Sequence, residues 1–220
     1  MWLQYANFVV QVVIAFAALF ALQQIYVAKQ TSVTNSRRES IRYASELTKD
    51  YLGNVIGLSD DSTSILRKNN FESYHQSSAC ELSTFKQEEI GNRNIPRQQH
   101  FLRYKKLVSE HPDVYSALIA ELNARESFAT PFVSKVADEL VAFKAVGRTF
   151  CEAIERRYFA LCYVRSSEHL GFSYFENTVE LYNLWSARLR RSELESKSRK
   201  IKEELGQIEE HTIVPIGTSS

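Results

Sequence analysis

The alternation of apolar and polar positions divides the chain into regimes. From Tyr5 to Val27 it reads YANFVVQVVIAFAALFALQQIYV, 23 residues without a charged side chain. As a helix rising about 1.5 Å per residue, this run reaches roughly 35 Å, enough to cross a bilayer core. Trp2 and Tyr5 at one end and Tyr26 at the other stand where amphipathic rings settle among headgroups, and Gln23 and Gln24 share that outer turn. Gln11 is the one amide deep in the run, placed to hydrogen-bond a neighbouring helix, a second copy of this chain included. The pattern predicts a transmembrane anchor over residues 1–28, with the lipid bilayer as its first partner. Two other readings fit less well. A cleaved signal peptide would need a basic leader, and its small-residue motif, Ala15-Phe16-Ala17, falls inside the run. A buried core helix would carry a polar stripe, and Gln11 is the only polar residue from Phe8 to Leu22.

Beyond Ala28 the apolar residues thin to helical steps. Ile41, Ala44, Leu47, Tyr51, Val55 and Leu58 recur every three or four positions, and no Gly or Pro interrupts residues 1–52. A juxtamembrane helical stalk is therefore predicted over residues 29–58. Its opposite face, with Arg37, Arg38, Arg42, Glu46, Lys49 and Asp50, reads as solvated. Lys29, Arg37, Arg38 and Arg42 follow the apolar run while no basic side chain precedes it, so the N-terminus is expected outside and everything after Lys29 in the cytoplasm. Those four basic side chains are also the ones in reach of anionic headgroups at the membrane surface.

The remaining pattern predicts a cytoplasmic helical domain over residues 59–210 and a flexible tail over 211–220. Ser59-Asp60-Asp61-Ser62 reads as a turn or helix cap, followed by two short helices joined near Gln76–Ser78. Gly91 to Pro96 is the clearest loop, and Arg97 to Val108 a basic amphipathic helix. Pro112 suits the first turn of a helix to about Ser127, and Thr130-Pro131 the start of another. That second helix has a ladder of Val136, Leu140, Phe143, Gly147, Cys151, Ile154, Tyr158 and Leu161 and is expected to end before Gly171. Ser173-Tyr174-Phe175-Glu176 has the form of a capping box for the last helix. In that helix the seam Leu184, Ala187, Arg191, Leu194, Ser198, Ile201, Leu205 and Ile208 makes a marginal coiled coil, a surface for a protein partner or for self-association.

Composition sharpens this picture. All 53 charged side chains lie in the last 192 residues and leave a net charge of +1, which gives no electrostatic case for nucleic acid. Between Ala187 and Glu210 seven basic residues face six acidic ones, a solvated helix surface rather than a phosphate-binding stripe. The three cysteines make an odd set; Cys151 and Cys162, eleven residues apart on one expected helix, cannot bond to each other and read as core thiols. None of the five histidines has a ligand partner at helical spacing, and no metal, nucleotide or hydrolase motif occurs, so no cofactor, metal or catalytic residue is expected. The aromatics from Tyr158 to Trp185, interleaved with Arg156, Arg157 and Arg165, read as core around a helical corner, with a protein-binding patch as the alternative.

Two resemblances add expectations. Arg103 to Ala129, RYKKLVSEHPDVYSALIAELNARESFA, resembles the second and third helices of a J-domain. That likeness implies that His111-Pro112-Asp113 engages the ATPase domain of an Hsp70 chaperone, although the family's first helix has no counterpart before it. LNARESFA (Leu122 to Ala129) followed by ENTVELYNLW (Glu176 to Trp185), behind a single N-terminal span, resembles a bacterial domain-of-unknown-function family of small membrane-anchored helical proteins. This second resemblance implies a bacterial inner membrane and a role in phage–host conflict, and carries over no active site. The sequence thus predicts an all-α, single-pass protein that acts as a non-enzymatic interaction module. A membrane-anchored co-chaperone using His111 and Asp113, and an enzyme with a site assembled only in the fold, are the alternatives. Leu194, Ile201 and Leu205 are the expected partner contacts on the last helix.

Overall fold

The computed structural model describes residues 2–69, 85, 95–166 and 174–207, and within them all side chains except those of residues 3–10, 12, 13, 15, 95–97, 166, 206 and 207. All regular structure among these residues is helical: α1 (Trp2–Asp50), a π-helical turn (Tyr51–Val55), α2 (Ile56–Lys68), α3 (Ile95–Glu110), α4 (Pro112–Val133), α5 (Glu139–Arg156), α6 (Tyr158–Ser166) and α7 (Glu176–Gln207). The expected pair of short helices around Gln76–Ser78 and the loop residues Gly91–Asn94 lie outside the described residues, as do Cys80, Ser173 and the tail.

The first helix runs unbroken for 49 residues, about 74 Å. Residues 16–39 are exposed all round, and the bundle begins at Ser40, whose carbonyl accepts the Asp138 amide. From there Ala44, Thr48, Tyr51 and Val55 turn inward, and after the π turn Ser59, Ser62 and Leu66 continue the buried face. The chain needs no turn at Ser59–Ser62. Two of those four residues are buried inside α2, where they serve a partner described below.

Helix α4 is the centre of the bundle, buried through Val114, Leu118, Glu121, Leu122, Arg125, Phe128, Ala129 and Phe132. It packs against α2, α3, α7 and the π turn, while α5 bridges α1 and α7. Trp185 of α7 is fully buried among Phe128, Phe132, Phe143 and Phe150, with ring centroids 5.1 to 6.2 Å away. The two segments that carry the second resemblance therefore meet: LNARESFA lies on α4 and ENTVELYNLW opens α7 against it.

Three expected boundaries are corrected. Thr130-Pro131 closes α4 rather than opening a helix. Ser127, whose carbonyl loses its intrahelical donor at Pro131, is exposed to water, and the end is sealed by Val136 N donating to Pro131 O and Lys135 N to Phe132 O, with Lys135 at φ 62°. The next helix starts instead at Asp138, whose carboxylate accepts the Leu140 and Val141 amides. Val136 and Leu140 accordingly sit outside the core, and the long ladder breaks at Arg157 into α5 and α6. Cys151 and Cys162, expected on one helix, occupy two, both buried as core thiols. Ile95 and Pro96, expected in a loop, begin α3.

No helix, among the described residues, is long and apolar enough to cross a membrane. Of the Tyr5–Val27 run, the side chains of residues 5–10, 12, 13 and 15 lie outside that description. The all-helical class stands, and the anchor is taken up below as a proposal.

Candidate functional site

The densest polar constellation is buried where the π turn, α2, α4 and the α5–α6 joint converge. Glu121, Arg125 and Arg157 are 0, 1 and 2% exposed, an ion triad closed off from solvent. Arg125 follows Glu121 by one helical turn and donates from Nη2 to Glu121 Oε1 at 2.6 Å. Its Nη1 donates to the Tyr51 hydroxyl at 2.7 Å. Arg157 approaches from the other side, with Nε 2.7 Å from Glu121 Oε2. Its Nη2 donates to Ser62 Oγ and Thr63 Oγ1, both at 2.7 Å, and to Ser59 O at 3.1 Å. The Ser62 hydroxyl completes the ring by donating to Glu121 Oε2.

Each element has a local reason for delivering its side chain. Tyr51 and Val55, four residues apart across the π turn, share the face turned to the core, and Leu52, Gly53 and Asn54 between them are exposed. Tyr51 is wedged by Phe128 and Phe150, at centroid distances of 4.5 and 6.1 Å. Arg157 leaves helical geometry at φ −100° and ψ 15°, between two helices whose other buried residues are nearly all apolar. A charge there points inward because Glu121 and the Ser59–Thr63 turn of α2 receive it.

Burial pushes the Glu121 carboxyl up, but the Arg157 and Arg125 guanidiniums and the Ser62 hydroxyl outweigh it and hold the group below the ordinary carboxylate value. Burial likewise pulls Arg125 down, and Tyr51 and Glu121 more than restore it. Burial pushes the Tyr51 and Tyr104 phenols up. Glu121 is thus held as the carboxylate and Arg125 as the cation near neutral pH, and Arg157 Nη1 is buried without a hydrogen-bond partner among the described residues. Such an arrangement fixes the register of four segments; its carboxylate is held by four donors, the three above and Arg125 Nε at 3.3 Å, and has no proton to exchange.

A second constellation orders α7. Glu126 of α4 accepts the Asn177 and Thr178 amides and the Thr178 hydroxyl at 2.6 to 3.1 Å, placing a carboxylate at the positive end of the helix. Glu139 accepts from the Trp185 indole and holds Arg188 through two bonds at 2.7 and 3.1 Å, with the Arg188 guanidinium 4.6 Å over Phe143. The Cys151 thiol, pushed up to about 12 by burial and by Glu155 and Glu152, stays protonated at neutral pH.

The residues singled out from sequence are dispersed. On α1, Trp2, Gln11 and Tyr26 are exposed, Tyr26 accepting a bond from Gln30, while the side chain of Tyr5 lies outside the description. Lys29, Arg37, Arg38 and Arg42 are exposed, Arg42 pairing with Glu39 at 2.8 Å and Glu46 at 3.3 Å. His111 is the single residue between α3 and α4, half-buried, and Asp113 stands exposed in the first turn of α4. Leu194, Ile201 and Leu205 are 59, 56 and 61% exposed on the free half of α7. Sequence reasoning passed over Glu121 and Arg125 and read Ser62 as part of a turn or cap. The signal was present: Val114, Leu118, Glu121, Arg125, Phe128 and Phe132 form one helical stripe, and two opposite charges a turn apart inside an apolar stripe mark a buried pair. Comparison with protein-family models, with curated proteins and with solved structures gives no match.

Proposed function

We propose that the chain is a non-enzymatic, membrane-tethered interaction module: the first half of α1 anchors it in the bacterial inner membrane with the N-terminus outside, and the bundle stands in the cytoplasm. The observation that carries this reading is the surface of α1. Ile14, Phe16, Leu19, Phe20, Leu22, Ile25, Tyr26 and Val27 are each more than half exposed, point to every side of the helix and are covered by no other element among the described residues, in a region of 28 residues without a charge. An apolar collar of that size has no stable place in water and suits hydrocarbon, where the helix satisfies its own backbone. The interaction role rests on a second surface left uncovered among the described residues, the apolar seam of distal α7, and on polar clusters whose hydrogen bonds join helices to one another. Among the described residues no group of three or more His, Cys, Asp and Glu side chains could hold a metal ion.

The test is fractionation and topology. The chain should sediment with membranes after alkaline extraction, and the pair Leu19→Lys and Phe20→Lys, each costing roughly 2.5–3.5 kcal/mol at a span's centre, should release it. Protease outside intact spheroplasts should spare everything beyond Lys29; cleavage there would reverse the orientation. Crosslinking in membranes that returned only monomer would defeat the interaction role.

A further inference from the structure

We infer that two copies of the chain pair through one face of α1, parallel and at equal depth, along Ala17, Ala21, Gln24, Ala28, Thr31 and Asn35. The pairing rests on the anchor reading of α1 and names a partner for the interaction role. Residues 16–39 are exposed all round, yet they are helical without a break. From Gln30 to Ser36 they read QTSVTNS, with no charge for an i,i+4 ion pair and Val33 as the one apolar side chain. Thr, Ser, Val and Asn all stand in the weaker part of the helix scale. A helix that is polar all round and lacks such pairs needs a neighbour to hold it.

The six positions recur in steps of four and three, the period of a two-helix seam, and cover about 27 Å. The large apolar side chains between Phe16 and Val27 all lie beside or behind this face, which is left to three alanines and one amide. Large residues toward lipid and small or hydrogen-bonding ones toward a neighbour are the division expected of paired helices in a bilayer. Charge follows the same division, since Lys29 and Arg37 lie off the face. Gln24, Thr31 and Asn35 make no side-chain hydrogen bond among the described residues, whereas Gln30 and Thr34, off the face, bond within their own helix. Each of the three both donates and accepts, so each can bond its own counterpart. Two copies anchored in the same orientation present every residue at the same depth, which makes a second copy the occupant this face fits.

The bundle stands on the opposite side of α1. Ala44, Thr48 and Tyr51 mark the buried direction, and at about 100° per residue it lies about 180° from the line of the six positions. Arg42, Ser45 and Lys49 continue that line and are exposed, so no described part of the bundle blocks a second copy. The pair parts at the bundle, because Arg38 and Arg42 would each face a like charge.

The test uses the full chain reconstituted in vesicles, with a cysteine placed at Thr31→Cys on the face or Val33→Cys behind it. The wild-type chain, with its own three cysteines, sets the background. On mild oxidation Thr31→Cys should yield roughly fivefold or more disulfide-linked dimer than Val33→Cys, since the bond forms only between close Cβ atoms. Adding Ala21→Leu and Ala28→Leu, which block close approach, should remove most of that excess. Gln11→Leu, on another side of the helix, should leave it unchanged, and its loss there would move the seam to Gln11 and overturn the pairing. Equal crosslinking at 31 and 33, or an excess that survives both leucines, would overturn the pairing as well and leave the anchor standing if the chain still floats with the vesicles. A chain that did not float would remove the anchor and the pairing together. A Thr31→Cys chain that stayed monomeric in vesicles but linked to a different protein in cell membranes would assign the face to that protein instead.

Discussion

Glu121 is one carboxylate between two buried guanidiniums, and its removal reveals what the triad does. Glu121→Gln keeps the shape and leaves two cations facing each other out of water, which should lower stability by about 3–5 kcal/mol. Replacing all three, Glu121→Leu with Arg125→Met and Arg157→Met, should recover most of that loss, because the removed charges no longer need solvation. Urea unfolding checks both, and a triple variant as unstable as the single one would mean that Tyr51, Ser62 and Thr63 depend on the arginines for more than neutralisation. The same residue sets a pH dependence. Its folded pKa lies below the ordinary 4.5, so its contribution is complete above that value and is lost as pH falls through the folded value. The stability gap between the native chain and Glu121→Gln should therefore narrow on acidification from about pH 7 toward about pH 3. At this scale burial was legible for apolar residues such as Ala44, Tyr51, Cys151 and Ile154. It was missed for Glu121, Arg125 and Arg157, since a charge counts as surface until its counter-charge, 36 residues away in the case of Arg157, is known to arrive.

The helices themselves were readable from spacing; their ends were not, because ends are settled by hydrogen bonds from elsewhere. Helix α7 takes its N-terminal acceptor from Glu126 of α4, and the break between α5 and α6 falls where Arg157 reaches across to α2. Thr130-Pro131 has a start signal's form, yet the accepting carbonyl of Pro131 and the capping carboxylate of Asp138 move the start eight residues on. Gly147 shows the same dependence on context. A glycine on the seam reads either as room for a neighbouring backbone or as a plain weakening of the helix, and the space is taken by Phe143 of its own helix: a Cβ would stand 2.6 Å from Cδ2 and 3.0 Å from Cε2. That ring is held by Arg188 and by Trp185, whose ring centroid is 5.8 Å away. Gly147→Ala gains about 1 kcal/mol of helix propensity and incurs about 1–3 kcal/mol of overpacking. A net loss of about 1 kcal/mol is expected, and thermal unfolding that showed a gain would mean the Phe143 ring swings aside freely.

At the scale of the whole molecule, the described residues form a bundle from which two stretches of helix project, and the division is energetic as well as geometric. Residues 16–39 of α1 and 190–205 of α7 are exposed, while the core from Ala44 to Trp185 closes without them. The pair joining distal α7 to the bundle, Arg148–Glu193, is solvent-exposed at both ends and worth little. A fragment of residues 37–190 should therefore fold cooperatively, stay soluble without detergent and melt within a few degrees of the full chain's bundle transition, a few tenths of a kcal/mol apart. The fragment should also lose membrane association, which a fragment of residues 1–190 should retain. Calorimetry and vesicle flotation separate the two effects. If 37–190 failed to fold, the apolar half of α1 would belong to the core, and its exposed collar would have to be covered by protein rather than lipid. A cooperative fragment that no longer floats, beside a 1–190 fragment that does, places the stability in the bundle and the location in the first half of α1. Selection on the partner surface could then alter distal α7 with little effect on the fold.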